Sequence, residues 1–474
     1  MRKTLPALSA LSLALLVGTP AFGLDLSEAY GKALQNDPTW LAARNNYLAG
    51  SEEVTVGRGG LLPTVAATAD VSKDSFTGKT AGNNYDFNQT QWGIKATQPL
   101  FRADAWNDYQ RAQASSSQAE ATFRSQEQEL ALRVSQAYFS VLSAEEGLAY
   151  AQSEEAANGR QLDQAQQRFD VGLIAITDVL EARAGFDGAR ANRISAEASL
   201  AAARENLAAI VGEDPGKLVP LKADAPMVKP VPEDPEAWVR LAREKNPDLI
   251  AARKNQESAS AVSRQVKSGF LPTVDAYASY GSMDRSASGA SPVTQSFLNA
   301  QNGTTTAVGL QANWILFSGG RTYAASKQAS YRAAAAQDAA NGTEKQVVNN
   351  TRTAFNNVSA DSYRVDARKQ AVASSEASLD ATQAGYEVGT RNIVDVLLAQ
   401  RNMYAAKRDY AAARYDYVLN SLRLKAASGQ LSEVDIKALN GWLDPNASVV
   451  SAPDKPAEPA PAAVPAAPSS RKKR

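Results

Sequence analysis

The stretch Arg168-Phe169-Asp170-Val171-Gly172-Leu173-Ile174-Ala175-Ile176-Thr177-Asp178-Val179-Leu180 is written a second time, 217 residues on, around Gly385-Tyr386-Glu387-Val388-Gly389-Thr390-Arg391-Asn392-Ile393-Val394-Asp395-Val396-Leu397. In both places helical patterning stops at a Val-Gly pair and then resumes. Gly172 and Gly389 supply the permissive backbone that a helix end often requires. Asp178 and Asp395 fall near the start of the returning segment, where a carboxylate complements the helix dipole by about 0.3–1 kcal/mol. These are helix reversals, and the rest of the chain is organised about them.

The segment entering the first reversal is very long. From Arg102 to Phe169 there is no Pro, and Leu130, Val134, Ala137, Val141, Ala144, Leu148 and Ala151 alternate steps of four and three, a coiled-coil seam. In the second copy Thr351, Val358, Val365, Val372, Leu379 and Tyr386 recur every seven residues. Return helices are expected over 178–210 and 395–427. Some 65 residues at ~1.5 Å each make about 100 Å, roughly three times a ~30 Å hydrocarbon core. Such a helix does not fit inside a compact globule.

The duplication extends to nearly the whole chain. Asn36-Asp37-Pro38, Ala42-Ala43-Arg44 and Leu62-Pro63-Thr64-Val65 have counterparts in Asn246-Pro247, Ala251-Ala252-Arg253 and Leu271-Pro272-Thr273-Val274, at an offset of 209. Leu100-Phe101 matches Leu316-Phe317 at 216, which places an insertion of about seven residues between Leu271 and Leu316. So long a period marks a duplicated domain and not a solenoid. The organisation expected is a leader at 1–23, a first repeat at 24–212, a linker at 213–235, a second repeat at 236–430, a C-terminal segment at 431–446, and a Pro/Ala-rich basic tail at 447–474 that is expected to be disordered. Arg2 and Lys3 precede an apolar run from Leu5 to Val17, with Ala21 and Gly23 at small-residue positions suited to cleavage before Leu24.

Each repeat begins with an amphipathic helix, expected over 25–57 and 235–268 and ended by Pro63 and Pro272. Alternation of period two follows. Ala67, Ala69 and Val71, then Trp92, Ile94 and Ala96, interleave with polar or small residues in the first copy. In the second, Val274, Ala276, Ala278 and Tyr280, then Val308, Leu310, Ala312, Trp314 and Leu316, do the same. These read as four strands with one apolar face. The Gly/Ser/Asn/Asp-rich stretches 72–89 and 282–304 are expected to be exposed loops.

Composition removes other functions. The 474 residues contain no Cys and no His, so thiolate nucleophiles, imidazole bases and the usual zinc cages are excluded and only carboxylate, Ser/Lys or Tyr chemistry stays open; the acids are scattered over helix surfaces with no paired constellation, and no metal, cofactor or catalytic residue is expected. Lys plus Arg equal Asp plus Glu at 50 each, and the body without leader and tail carries 43 positive and 48 negative charges. Nucleic acid is therefore not expected as a partner. No phosphate-binding Gly loop of the required spacing is present, so the chain has no energy source of its own.

Four strands cannot seal themselves. In a bilayer every backbone group must be paired, so strands survive only in a closed barrel, and the smallest such barrels have eight. The chain is expected to oligomerise, as a dimer with eight strands, a trimer with twelve, or more, with outer-membrane lipid around the barrel. A general diffusion porin needs only short periplasmic turns, and the long coiled coils argue against it.

The order leader, helix, Leu-Leu-Pro-Thr-Val, hairpin, coiled coil, Val-Gly reversal, written twice, closely resembles the TolC family of outer-membrane efflux proteins over essentially the whole chain up to about residue 440. The resemblance implies an α+β membrane protein: a homotrimeric 12-stranded transmembrane β-barrel, four strands per chain, continuous with a 12-helix coiled-coil tunnel through the periplasm. It also implies a passive exit duct for efflux or type I secretion. Its implied partners are a periplasmic membrane-fusion adaptor and an inner-membrane RND (resistance-nodulation-division) or ABC (ATP-binding-cassette) transporter. The lipid-anchored branch of the family would need an N-terminal Cys, which this chain lacks. Carried over residue by residue, Tyr386 and Arg391 would tether to Thr177 and Asp178 to hold the tunnel mouth closed, and Asp395 would form a ring of three carboxylates. The family's pattern has a second aspartate three positions later, where this chain has Leu398, so a single acidic ring is expected.

Overall fold

A computed structural model of the protein describes residues 23–77, 84–288 and 290–445. The expected leader, apart from Gly23, and the whole basic tail lie outside those residues. The elements, in order, are α1 (Leu26–Asn36), α2 (Pro38–Gly59), β1 (Thr64–Thr77), β2 (Asn84–Phe101), α3 (Ala103–Asp170), α4 (Ile176–Val211), α5 (Pro235–Lys245) and α6 (Pro247–Lys267). A 3-10 turn at Ser268–Phe270 then leads to β3 (Thr273–Ser288), α7 (Pro292–Asn299), β4 (Gly303–Asn313), α8 (Arg321–Glu387), α9 (Ile393–Ala427) and α10 (Glu433–Asn440). The two long helices span 68 and 67 residues, about 100 Å each at the ordinary helical rise.

The strands form one antiparallel sheet in the order β1-β2-β3-β4. Its register lines the apolar residues up across all four. Val65 faces Ala96, Ala96 faces Ala278 and Ala278 faces Val308, while Ala67, Ile94 and Tyr280 make the adjoining row. Trp92 and Tyr280 meet edge to face at 5.7 Å on the same side. This apolar face is uncovered within the protomer, with Val71 78 % and Val308 80 % exposed. The edge strands β1 and β4 each have one unpaired side.

Three local expectations need correction. The stretches 72–89 and 282–304 are not simply loops. β1 continues to Thr77, β2 starts at Asn84, β3 continues to Ser288, and α7 occupies much of the remainder. A hydrogen-bonded ladder tolerates polar side chains, and here Ser75 Oγ donates to Asp86 Oδ1 at 2.7 Å across the pair while Lys73 lies 3.5 Å from the same carboxylate. Conversely, Trp314 and Leu316 lie beyond the end of β4, and the Trp314 indole N–H donates to the Phe270 carbonyl at 3.0 Å. Phe101, Trp106 and Phe317, which also flank the strand–helix junctions in sequence, are exposed as well, as aromatic residues are at a membrane interface.

The third correction concerns the opening helix of each repeat, which is two helices and not one. Pro38 and Pro247 stand at the first position of a new helix, where a missing N–H costs nothing. Asp37 caps one by accepting from the Trp40 N–H at 2.8 Å, and Asn246 caps the other by accepting from the Leu249 N–H at 3.0 Å. The break lets a helix rising from the far end abut the new one. Asn36 Nδ2 donates to the Val211 carbonyl that ends α4, at 2.7 Å, and Asn246 Nδ2 donates to the Ala427 carbonyl that ends α9, at 3.0 Å. Gly212 and Gly429, at φ +87° and +72°, turn the chain aside so that the stack can form.

With the sheet taken as the top, α3 and α8 run the full height. In the upper half α2 packs on α3 and α6 lies between α3 and α8, and in the lower half α4 packs on α3 and α9 lies between α3 and α8. The largest apolar core sits at the waist, where Leu130–Leu142 of α3 meet Val358 of α8, Tyr415–Leu424 of α9 and the small helices α1 and α10. Leu24 joins this core through a parallel bridge to Leu218. Tyr138 Oη lies 3.0 Å and 2.8 Å from the carbonyls of Leu24 and Val219.

Candidate functional site

The two reversals lie together at the end of the helices farthest from the sheet, and each is a Schellman motif. In the first, Leu173 N–H donates to the Arg168 carbonyl at 2.9 Å and Gly172 N–H to the Phe169 carbonyl at 2.8 Å. In the second, Thr390 N–H donates to the Gly385 carbonyl at 2.8 Å and Gly389 N–H to the Tyr386 carbonyl at 3.1 Å. Gly172 and Gly389 sit at φ +78° and +80°, the left-handed region where a Cβ is costly.

The return helices begin differently. Asp395 is the third residue of α9 and completes a capping box, accepting from the Asn392 N–H at 3.4 Å while Asn392 Oδ1 accepts from the Asp395 N–H at 2.8 Å. Asp178 holds the same place in α4, but the cap there, Ala175, has no side-chain acceptor. Asp178 therefore faces the helix dipole without a box.

A small apolar plug binds the reversals to one another. Ala165 of α3, Val179 and Ala182 of α4 and Ile393 of α9 are buried together, with Phe169 and Tyr386 packed beside them. The Arg168 guanidinium lies over the Tyr386 ring, 5.1 Å from its centre, and so joins α3 to α8. Arg391 Nη1, in the turn before α9, approaches Asp395 Oδ2 at 3.9 Å. Among the described residues the side chains of Thr177 and Asp178 and the Tyr386 hydroxyl have no hydrogen-bond or ion-pair partner inside the protomer. All seven residues expected at the mouth lie at this end of the helices.

Sequence reading passed over a set of buried polar side chains one step higher between α3 and α9. Gln400 Nε2 donates to Asn158 Oδ1 at 3.0 Å, Asn158 Nδ2 donates to the Gly185 carbonyl of α4 at 3.1 Å, and Arg408, itself only half-buried, pairs with the buried Glu154 at 3.0 Å. Their spacing of four along each helix is a legible signal, but it does not say which helix lies opposite.

A sheet with an uncovered apolar face, set on helices that reverse about 100 Å away, is the architecture of a channel wall segment. The profile described as "Outer membrane efflux protein" matches residues 29–213 and 238–430. The chain belongs to that family. It is 36 % identical to outer membrane protein TolC of Escherichia coli, over 94 % of this chain and 90 % of that one. It is 31 % identical to the alkaline protease secretion protein AprF of Pseudomonas aeruginosa, over 89 % of this chain and 88 % of that one. Among solved structures its fold is that of CusC, at a TM-score of 0.73, 18 % identity, and 90 % and 98 % coverage of the two chains. Like its relatives in the efflux family, the chain is an outer-membrane protein of α+β channel fold.

Proposed function

We propose that three copies of the chain close a 12-stranded barrel over a 12-helix tunnel and serve as a passive exit duct through the outer membrane for tripartite efflux, type I secretion, or both. The observation that carries this reading is the four-stranded sheet with two open edges and an uncovered apolar face, continuous with helices of about 100 Å. One protomer leaves edge N–H and C=O groups unpaired. Neighbouring copies supply partners for β1 and β4, and twelve strands leave a lumen. A periplasmic membrane-fusion adaptor and an inner-membrane RND or ABC transporter supply drive and cargo, because the chain has no nucleotide-binding loop of its own. The likeness to AprF favours secretion, and the likeness to TolC accommodates either use. No catalytic role is assigned to any residue.

The tunnel rests closed at the reversals. Tyr386 and Arg391 tether to Thr177 and Asp178, with some contacts made across the protomer boundary. Asp395 forms one acidic ring, followed by Leu398 where a second carboxylate would strengthen cation preference. Support comes from the exposed polar groups at this end, which have few partners within one protomer. Single-channel recording in planar bilayers tests the reading: the unmodified protein should give a small, mostly closed conductance that rises in Arg391→Ser. A wide open pore in the unmodified protein would favour a general diffusion porin instead.

A further inference from the structure

The Arg391–Asp395 pair lies within a single turn and fastens no two helices to each other. Both side chains are open to water, and an exposed pair contributes little. The buried polar row between α3 and α9 is different. Glu154, Asn158 and Gln400 are 3 %, 6 % and 4 % exposed within one protomer. Gln400, Tyr404 and Arg408 follow one another at four-residue steps along one face of α9. They meet Asn158, the Ser153 carbonyl and Glu154 of α3 at 3.0, 3.2 and 3.0 Å. Asn158 also holds the Gly185 carbonyl, so three helices converge on one amide. Gly185 also leaves room for Leu397 of α9, since a Cβ there would fall 3.2 Å from the Leu397 side chain.

The mechanics of α9 give this row a role. From Ile393 to Ala427 the helix contains neither Gly nor Pro, so it has no sequence feature that would let it kink. Its upper end is anchored in the waist core through Tyr415, Val418, Leu422 and Leu424. A stiff rod held at one end moves its other end only by pivoting. Any outward swing of the α8–α9 reversal therefore pulls Gln400 away from Asn158 and Arg408 away from Glu154 before the waist is disturbed. The swing also lifts Ile393 from the apolar plug, and the polar row above it regains hydrogen bonds from water as it parts.

We propose that Asn158, Gln400 and Glu154, with Arg408 closing the row from its half-buried edge, form a second clasp of the gate, about 20 Å above the reversals along α3. The clasp must part for the tunnel mouth to open, and it holds the closed state together with the surface tethers. This inference rests on the gated-duct reading above. A contact made only in the closed state biases the population towards it, so its loss shifts the channel towards open.

The chain has no cysteine, so an introduced pair is unique. Asn158→Cys with Gln400→Cys, made in the full chain with and without Arg391→Ser, removes the amide contact and should raise conductance. A short, reducible bis-methanethiosulfonate bridging the two thiols should return it to the closed level, and reductant should release it again. Mass spectrometry reports bridge formation, and size exclusion with circular dichroism confirms that the oligomer stays folded. If the bridged Arg391→Ser protein keeps its raised conductance, the clasp is refuted while the surface tethers stand. If Arg391→Ser changes nothing but Gln400→Ala raises conductance, the tethers are wrong and the clasp survives. A closed channel in both single variants overturns the clasp.

Discussion

From the turn that precedes α9, Arg391 reaches Asp395 in the helix's first turn, Nη1 to Oδ2 at 3.9 Å, with the two side chains 61 % and 38 % exposed. The same carboxylate closes the capping box on Asn392. Asp395 thus serves α9 as a cap while its charge remains open to solvent at the tunnel end. Asp395→Ala should lower stability by only about 0.3–1 kcal/mol, the ordinary effect of losing a first-turn carboxylate while the Asn392 cap stays. It should abolish block of the channel by millimolar divalent cations. Recordings with and without the cation check this, and block that survives the substitution removes the carboxylate ring from the account.

The reversals depend on two glycines in left-handed backbone. No atom lies within 4 Å of a Cβ built on Gly172 or Gly389, so substitution meets no clash and its cost is conformational. Gly172→Ala and Gly389→Ala should each destabilise by about 1–2 kcal/mol. Thermal unfolding of the detergent-solubilised protein measures it. A cost near zero would mean that the turn does not need positive φ.

Asn246 does two tasks that the first repeat divides between Asn36 and Asp37. It caps α6 and holds the last carbonyl of α9, whereas Asn36 holds only the end of α4. Asn246→Ala should therefore cost more than Asn36→Ala, by roughly 1 kcal/mol. Denaturant midpoints for the two variants decide it, and equal losses would show that the stacked joints are not built as described.

Glu146 is buried at the waist, where it accepts the Tyr415 hydroxyl beside the Arg414 charge. Burial outweighs both and pushes its carboxyl above the usual range, while Tyr415 is pushed well above its own by burial and by that carboxylate. The folded state then holds the Glu146 proton more tightly than the unfolded chain does. The penalty is present at neutral pH and fades as pH falls through the raised value. Glu146→Gln, which still accepts from Tyr415, should be the more stable protein at neutral pH. Its advantage should shrink towards the usual carboxylate range near ~4, as melting curves across pH would report.

Much of this was legible because two periodicities are unmistakable over long stretches. The seven-residue recurrence from Thr351 to Tyr386 and the alternation from Val274 to Tyr280 gave the helices and the apolar sheet face. The reversals were readable for the same reason, since Val171-Gly172 and Val388-Gly389 interrupt a pattern that is otherwise continuous. The breaks at Asp37-Pro38 and Asn246-Pro247 were written in the sequence too. They were outweighed by apolar patterning on both sides, because a proline at the first helical position looks the same as one that kinks a single helix. The polar ends of β1 and β3 escaped notice because ladder hydrogen bonds, and not side-chain polarity, set where a strand stops.

By itself the sequence determined the elements, their duplication and the shortage of strands, since each follows from local steric and solvation preferences repeated many times. Only the tertiary structure decided which helix faces which. Asn158 meets Gln400 across 242 residues and Asn246 meets Ala427 across 181, and such pairings depend on how rods of equal pitch pack and not on any residue's own preference. Local patterning specifies the surface a helix presents, and the packed assembly alone specifies what lies against it.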